Sequence, residues 1–271
     1  GAVMRLLIPL ALLSHTPAVL GLFFKPLLGL ERPKAHPLLD ATDRSMDRLI
    51  AQNRAWTREL KKKKGLLERM HAQEAKYLWI GCSEARVPAN QLLGMDPGSV
   101  FVHRNIGNLV VNADVNLESV IQYAVSVLGV QDIIVCGHYE CEGVYAATQN
   151  VELGAPLDNW VRNIRDVIRL HRDELLAIED KENKYRRLVE LNVQEQALNV
   201  FKSGVVQEVR SQSVASPSVE SIVPRVHALV YDPRDLELIQ LDVDYKGALR
   251  EYDEVYRLLA KSCDGKDAFF A

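Results

Sequence analysis

Two short clusters of cysteine and histidine, far apart in the chain, constrain the fold more than any other feature. Cys82 ends the run Tyr77-Leu-Trp-Ile-Gly-Cys82, and the second cluster reads Cys136-Gly-His-Tyr-Glu-Cys141. Two thiolates and one imidazole form a ligand set that Zn²⁺ prefers, and three protein ligands leave its fourth tetrahedral position open. A fold that joins the two clusters therefore predicts a zinc site of the catalytic type.

Apolar runs next to both clusters indicate the kind of sheet that joins them. Residues 77–80, 100–103 and 132–136 are predicted as short buried strands, with a helix over residues 117–128 between the second and the third. Strand, helix and strand in this order favour a parallel sheet. The two clusters then lie at the carboxyl ends of strands, where ligands bind in open α/β sheets.

Helices are predicted before and after this strand region in the sequence. Met46, Leu49, Ile50 and Trp56 lie near one face of a predicted helical stretch over residues 37–60. The remaining predicted elements are helices over residues 157–176 and 180–209, a loop over residues 211–224, and a hairpin of residues 227–231 and 236–241.

The composition narrows the class of protein. A chain of 271 residues with 48% hydrophobic content is able to bury one sizeable core. The net charge of −3 and the lack of a basic face argue against nucleic acid as a partner. Cysteines crowded around His138 indicate a metal site in a reducing compartment rather than a disulfide framework.

The first thirty residues differ from the rest of the chain. Residues 6–24 are almost wholly apolar, Arg5 and Lys25 flank them, and no carboxylate precedes Glu31. We predict that residues 1–35 form a targeting or anchoring segment, or else an arm packed on the protein or on a second subunit. Residues 36–271 form the predicted folded domain. An organellar location, mitochondrial or plastid, is the expectation, with residues 1–30 as a candidate attachment to a membrane or larger assembly.

Several segments together carry a resemblance to a known family. They are Tyr77-Leu-Trp-Ile-Gly-Cys82, Arg86-Val-Pro-Ala-Asn90, Pro97-Gly98, Val100-Phe-Val-His-Arg-Asn-Ile106, Gln122-Tyr-Ala-Val125, Gly137-His-Tyr139 and Asp158-Asn-Trp160. In these segments the chain resembles the β-class carbonic anhydrases, and the resemblance extends from His36 to Leu259.

The resemblance implies a fold and an activity. The fold would be α/β, with a mostly parallel four-stranded sheet flanked by helices and an N-terminal helical arm over residues 37–60 in a homodimer or tetramer. The activity would be the reversible hydration of CO₂ to bicarbonate by zinc hydroxide. Cys82, His138 and Cys141 would be the zinc ligands, and hydroxide would form near neutral pH because zinc lowers the pKa of water to about 7.

The catalytic pair that the resemblance implies is Glu84 and Arg86. In the family an aspartate at the first position orients the hydroxide and pairs with the arginine, whereas this chain has Glu84. The additional methylene moves the carboxylate by up to about 1.5 Å. It either misplaces the carboxylate, at a cost on the order of a hundredfold in rate, or lets it reach the metal and close the site.

The resemblance also implies pocket residues. Gln73, Phe101 and Gly143 match substrate-binding positions, and Glu142 replaces the first glycine of a Gly-Gly pair, where its carboxylate either faces solvent or charges the pocket. A further set matches members of the family that bind bicarbonate at an inhibitory site, namely Trp79, Gly81, Val87 and Arg104.

Two alternatives to a CO₂-hydrating enzyme stay open at this stage. Glu84, Glu142 and the apolar N-terminus would also suit a catalytically weakened or inactive structural or regulatory subunit of a larger or membrane-bound assembly. An enzyme of the same fold could also act on a CO₂ analogue such as carbonyl sulfide.

Overall fold

The computed structural model describes residues 46–72, 75–214, 222–252 and 255–256. The chain divides into two compact units, Gly1–Lys63 and Lys64–Ala271. The apolar segment over residues 1–35 and its boundary with the predicted domain lie outside the described residues. Within the described ranges, no helix is both long enough and apolar enough to span a membrane.

The first unit contains the helix α1, Met46–Leu60. Asp47 lies in its first turn and Arg58 in its last, where each charge complements the helix dipole. The described part of the predicted arm is therefore helical. Its apolar residues Met46, Leu49 and Trp56 are exposed on the single chain.

The second unit is built on one five-stranded sheet. Its strands are β1 Tyr77–Cys82, β2 Val100–Asn105, β3 Asp132–His138, β4 Arg225–Asp232 and β5 Glu237–Leu241, in the order β2-β1-β3-β4-β5. The first four are parallel, whereas β5 pairs antiparallel with β4. The predicted strands and hairpin are confirmed, and the hairpin adds a fifth strand to the four that the resemblance implied.

Helices cover this sheet. The helix predicted over residues 117–128 is confirmed as Val115–Gln122 continued by a π-helical turn, Tyr123–Val127, whereas two longer predicted helices are each divided in two. The helices are α2 Leu66–Ala72, α3 Ala89–Leu92, α4 Val115–Gln122, α5 Glu142–Thr148, α6 Leu157–Leu170, α7 Arg172–Ala177, α8 Lys181–Lys202, α9 Gly204–Val214 and α10 Tyr245–Tyr252. The helix predicted over residues 157–176 breaks at His171, and the helix predicted over residues 180–209 breaks at Ser203, where ψ of 131° is extended. The predicted loop from residue 211 was wrong at its start, because α9 continues to Val214.

The central strands β1 and β3 are buried on both faces, as expected for strands in the middle of a parallel sheet. Leu78 and Ile80 pack into the larger apolar cluster, which the helices α4, α6 and α8 complete. Trp79, Ile134 and Cys136 pack into a second cluster on the opposite face, because alternate residues of a strand point to opposite sides. Cys136 is thus a core residue.

The strand order brings the two ligand clusters together. β1 ends at Cys82 and β3 ends at His138, and these strands are parallel neighbours with Gly81 opposite Cys136. The carboxyl ends of adjacent parallel strands meet at one edge of the sheet, so residues that follow both strands share that edge.

Candidate metal centre

Three metal-binding side chains meet at this edge of the sheet. The ligand atoms of Cys82, His138 and Cys141 all lie within 4.8 Å of one another. The two sulfur atoms are 3.9 Å apart, and all three residues are buried. The structure therefore brings together the three residues that the sequence proposed as ligands.

His138 presents one free nitrogen to this group. Its Nδ1 lies 2.9 Å from the carbonyl oxygen of Tyr139. Because a carbonyl only accepts, Nδ1 carries the proton and Nε2 is left with a lone pair. Nε2 is buried without a hydrogen-bond partner in the protein. This tautomer, fixed from behind by a backbone carbonyl, is the one that metal-binding histidines adopt.

The two thiols of the site are electrostatically linked. The hydrogen bond with Cys141 is the main cause that lowers the pKa of Cys82 well below its usual value, burial opposes it, and the Gly107 amide lowers it further. The pKa of Cys141 is raised well above its usual value because its proton is shared with Cys82 and because the residue is buried. A second thiolate at this distance needs a cation, so two sulfurs, one buried imidazole nitrogen and the absence of hard oxygen ligands in the group fit zinc.

Helix α8 packs closely behind residues 137–141, which we call the ligand loop. A Cβ at Gly137 would clash with the side chain of Val193, so this position requires glycine. The hydroxyl of Tyr185 donates to the carbonyl oxygen of Cys141 at 2.6 Å. The helix therefore fixes the backbone that carries both His138 and Cys141.

A row of amide side chains on α8 holds the other side of the site, and these residues were not among the predicted ones. Asn192 donates to the Gly107 carbonyl at 3.0 Å, Gln196 accepts from the Val110 amide at 2.8 Å, and Asn199 donates to the Val110 carbonyl at 3.1 Å. Their spacing of four and three residues is the signal that was available, since it places the three amide side chains on one face of the helix.

Glu84 is bound to Arg86. One carboxylate oxygen accepts from the backbone amide and from Nε of Arg86, both at 3.2 Å, and the other lies 3.5 Å from a terminal guanidinium nitrogen. Burial opposes ionisation of Glu84, but the hydrogen bonds from Arg86 outweigh it and lower the pKa of the carboxyl. The group of ligand atoms within 4.8 Å does not include Glu84.

Arg104 supports the turn that carries these residues. It donates to the carbonyl oxygen of Cys82 at 2.8 Å and also to the carbonyl of Glu84. Of the other residues assigned to an inhibitory site, Trp79 and Val87 share one apolar cluster, and a Cβ at Gly81 would clash with the Trp79 indole. The Trp79 indole nitrogen is buried without a hydrogen-bond partner.

The structure describes two of the three predicted substrate-binding residues. Gln73 lies outside the described residues. Phe101 is half-buried, with its ring centroid 5.7 Å from that of Tyr123. Gly143 follows Cys141 in the first turn of α5, where a Cβ would meet Ile106 at 2.8 Å. Glu142 is exposed.

The fold and the site together define a class: α/β proteins with a buried Cys-His-Cys metal site at the carboxyl edge of a parallel sheet. Residues 77–235 match the family model described as carbonic anhydrase. A carbonic anhydrase of Emericella nidulans is 44% identical over 221 residues, which cover 80% of this chain and 92% of that protein. The chain belongs to the β-class carbonic anhydrase family, whose members catalyse the hydration of CO₂.

Solved structures agree with this assignment. The β-carbonic anhydrase CafA of Aspergillus fumigatus is 34% identical and superposes with a TM-score of 0.68 over 78% of this chain and 97% of its own. A structure described as one of two tetrameric β-carbonic anhydrases from Sordaria macrospora is 32% identical, with a TM-score of 0.64 over 72% of this chain and 95% of its own. Among sequence relatives, a shorter match is 35% identical over 99 residues. It covers 34% of this chain and 34% of an Arabidopsis thaliana protein named beta carbonic anhydrase 6, mitochondrial.

Proposed function

We propose that this chain hydrates CO₂ with a zinc ion held by Cys82, His138 and Cys141. The observation that carries the proposal is the buried Nε2 of His138, which has no partner in the protein and lies within 4.8 Å of two cysteine sulfurs. When bound, zinc supplies the Lewis acidity that lowers the pKa of water from roughly 15.7 to about 7. The three side chains hold this charge in a buried site.

Glu84 and Arg86 act in this proposal as the orienting pair. The Glu84 carboxylate accepts a hydrogen bond from the attacking hydroxyl group. This contact orients the hydroxyl oxygen so that its lone pair faces the carbon of CO₂. Arg86 holds the carboxylate through its backbone amide, Nε and one terminal nitrogen. The contact with Arg86 supports an active arrangement over the alternative in which Glu84 closes the metal site.

Phe101, Gly143 and Gln73 are the residues that we propose for the substrate pocket. Phe101 forms an apolar wall suited to CO₂, which has no net dipole and is poorly hydrated. Gly143 leaves backbone rather than side chain beside Cys141, and Gln73 is proposed as the donor to bicarbonate. The exposure of Glu142 supports its facing solvent rather than charging the pocket.

We propose a homodimer or tetramer as the assembled form. β2 is an edge strand of the sheet, and Val102 and Ile106 on and after it are exposed together with Tyr123 and Val127. An exposed edge strand beside apolar side chains favours pairing with another chain. The exposed apolar residues of α1 and the tetrameric relatives from Sordaria macrospora support the same proposal.

An organellar location is proposed from the N-terminal residues. The first 30 residues contain no carboxylate, and a lack of acidic residues is one feature of organellar transit peptides. The mitochondrial Arabidopsis relative supports this location. Imaging of the natural full-length chain with a C-terminal fluorescent tag tests it, and a diffuse cytosolic signal contradicts it.

The test of function is stopped-flow CO₂ hydration at about pH 8.5, above the expected pKa of zinc-activated water, with zinc quantified on the same sample. The expected result is activity at one zinc per chain and loss of both zinc and activity in Cys82→Ser. An inactive wild-type chain at full zinc content contradicts the proposal. Carbonyl sulfide, offered under the same conditions, distinguishes a CO₂ enzyme from one that prefers the analogue.

A further inference from the structure

Glu140 occupies a backbone conformation that an acidic residue rarely adopts. It lies between His138 and Cys141, and its φ is 59°. This left-handed region is unfavourable for residues with a Cβ, and glycine enters it without penalty. A glutamate here therefore suggests that its side chain makes contacts that glycine would lose.

The Glu140 carboxylate lies between two arginines from different parts of the fold. One oxygen is 3.5 Å from a terminal nitrogen of Arg86, and the other is 3.1 Å from Nε of Arg234. Arg234, in the turn between β4 and β5, also contacts Glu182 in the first turn of α8 at 2.6 Å. Glu140 thus contacts two arginine side chains that lie outside the ligand loop.

Arg86 needs a further contact to hold its guanidinium in one orientation. Half of its side chain is exposed, at 50%, and a long exposed arginine samples many rotamers. The guanidinium is a rigid planar fork, so fixing one terminal nitrogen sets the direction of the others. Glu140 contacts the terminal nitrogen that does not contact Glu84, while Nε and the other terminal nitrogen face Glu84.

We propose that Glu140 is a positioning residue that holds the guanidinium of Arg86 and, through it, the carboxylate of Glu84. This inference rests on the proposed roles of Glu84 and Arg86 in CO₂ hydration. Glu140 itself touches no reacting atom. Its effect is geometric, because partly exposed ion pairs of this kind add little to the free energy of unfolding.

The first experiment compares Glu140→Gly with Glu182→Gln. Glu140→Gly removes the carboxylate and relieves the backbone, so kcat/KM for CO₂ hydration falls about fivefold, as loosened alignment predicts, while the melting temperature and zinc content do not fall. Glu182→Gln is the matched control, because it removes the other partner of Arg234 without touching Arg86. Its kcat/KM stays within about twofold of the wild type. Equal activities of Glu140→Gly and wild type overturn the proposal.

A double-mutant cycle with Arg86→Ala tests whether Glu140 acts through Arg86. Glu140→Gly then causes no further loss of kcat/KM in the Arg86→Ala background, whereas the same fivefold loss in both backgrounds, about an additive effect, overturns the proposal.

A readout independent of activity separates this inference from the proposed function. Hydrogen exchange at Nε of Arg86, followed by NMR in the zinc-loaded protein, becomes faster in Glu140→Gly and not in Glu182→Gln. Unchanged exchange in Glu140→Gly overturns the proposal. An inactive wild-type enzyme at full zinc content overturns the proposed function instead, and the exchange rate still decides whether Glu140 holds Arg86.

Discussion

Replacement of Asn192 by alanine is the most informative test of how α8 supports the metal site. Asn192 is fully buried, donates to the Gly107 carbonyl at 3.0 Å and accepts from the Gln196 amide at 3.2 Å. The substitution removes two hydrogen bonds of about 1 kcal/mol each and leaves buried groups unpaired, so we expect about 3 kcal/mol of lost stability. For a domain of this size that loss lowers the melting temperature by about 6–12 °C.

The same substitution is also expected to weaken metal binding. Gly107 follows the loop residue Ile106, and its amide donates to the sulfur of Cys82. When Asn192 no longer holds the Gly107 carbonyl, this donor becomes mobile, and loss of such a supporting contact weakens metal binding on the order of tenfold. Zinc transfer to a chromogenic chelator measures the effect directly, without reference to enzyme activity.

Asn199→Ala is the matched control. Asn199 belongs to the same row of amides and donates to the Val110 carbonyl at 3.1 Å, but it does not contact Gly107. We expect a loss of about 1 kcal/mol and unchanged zinc transfer. Both proteins are compared at one chain concentration, because assembly adds to apparent stability. If Asn192→Ala and Asn199→Ala lose stability and zinc to the same extent, the reasoning about Gly107 is wrong.

Three further predictions concern other parts of the molecule. Cys82→Ser replaces one of two soft ligands, so zinc content after dialysis falls well below one per chain; metal analysis at full occupancy would remove Cys82 from the ligand set. Glu84→Gln keeps the size of the side chain but loses its charge, so kcat/KM for CO₂ hydration falls about 10- to 150-fold, as expected for loss of a charge-assisted hydrogen bond worth about 1.5–3 kcal/mol, with zinc content unchanged. Asp132 forms a partly buried ion pair with Arg225 and also contacts His227, both at 2.7 Å. Burial opposes ionisation of Asp132, but these contacts prevail and lower the pKa of the carboxyl. Its contribution to stability is therefore fully present above about pH 4, near the unfolded pKa, and is lost as the pH falls through the lower folded value. Melting curves between pH 7 and 3 should show a shallower acid decline for Asp132→Asn than for the wild type, and parallel declines would contradict this assignment.

The sequence predicted the sheet well because the strands depend on a local pattern. β3 is buried along its whole length, and β1 along all but its first residue, so both appear as nearly continuous apolar runs. The hairpin of β4 and β5 was predicted from the turn Asp232-Pro-Arg-Asp235 between them, since β5 is half-buried or exposed along its length. The ligand residues followed from the ends of those strands, and the structure gathers all three.

The helix breaks could not be predicted from periodicity. His171 and Ser203 each leave helical geometry at a single position, while the apolar pattern continues on both sides. A single residue outside the helical region changes the direction of the chain without changing the spacing of its neighbours. Such a break depends on tertiary packing, which overrides helix propensity.

The buried amides of α8 were missed for a different reason. Asn192 and Gln196 are polar, and polar residues on a helix usually indicate a solvent-facing surface. Here they face unpaired backbone groups of the loop after β2. Only the tertiary structure shows that this loop lacks regular hydrogen bonding of its own and needs partners from a helix far away in sequence.

Glu84 and Glu140 are best understood as parts of one arrangement. A glutamate at position 84 has one more rotatable bond than an aspartate, so its carboxylate is harder to hold in a single place. Three donors of Arg86 hold it, but Arg86 is itself half exposed and needs an anchor of its own. Glu140, which also contacts Arg234, is the anchor that we propose, and its backbone is left-handed. The alternation of carboxylate and guanidinium from Glu84 through Arg86 and Glu140 to Arg234 lets each charge restrain the next. The longer side chain at position 84 and the acidic residue at position 140 therefore belong together, since the second limits the freedom that the first introduces.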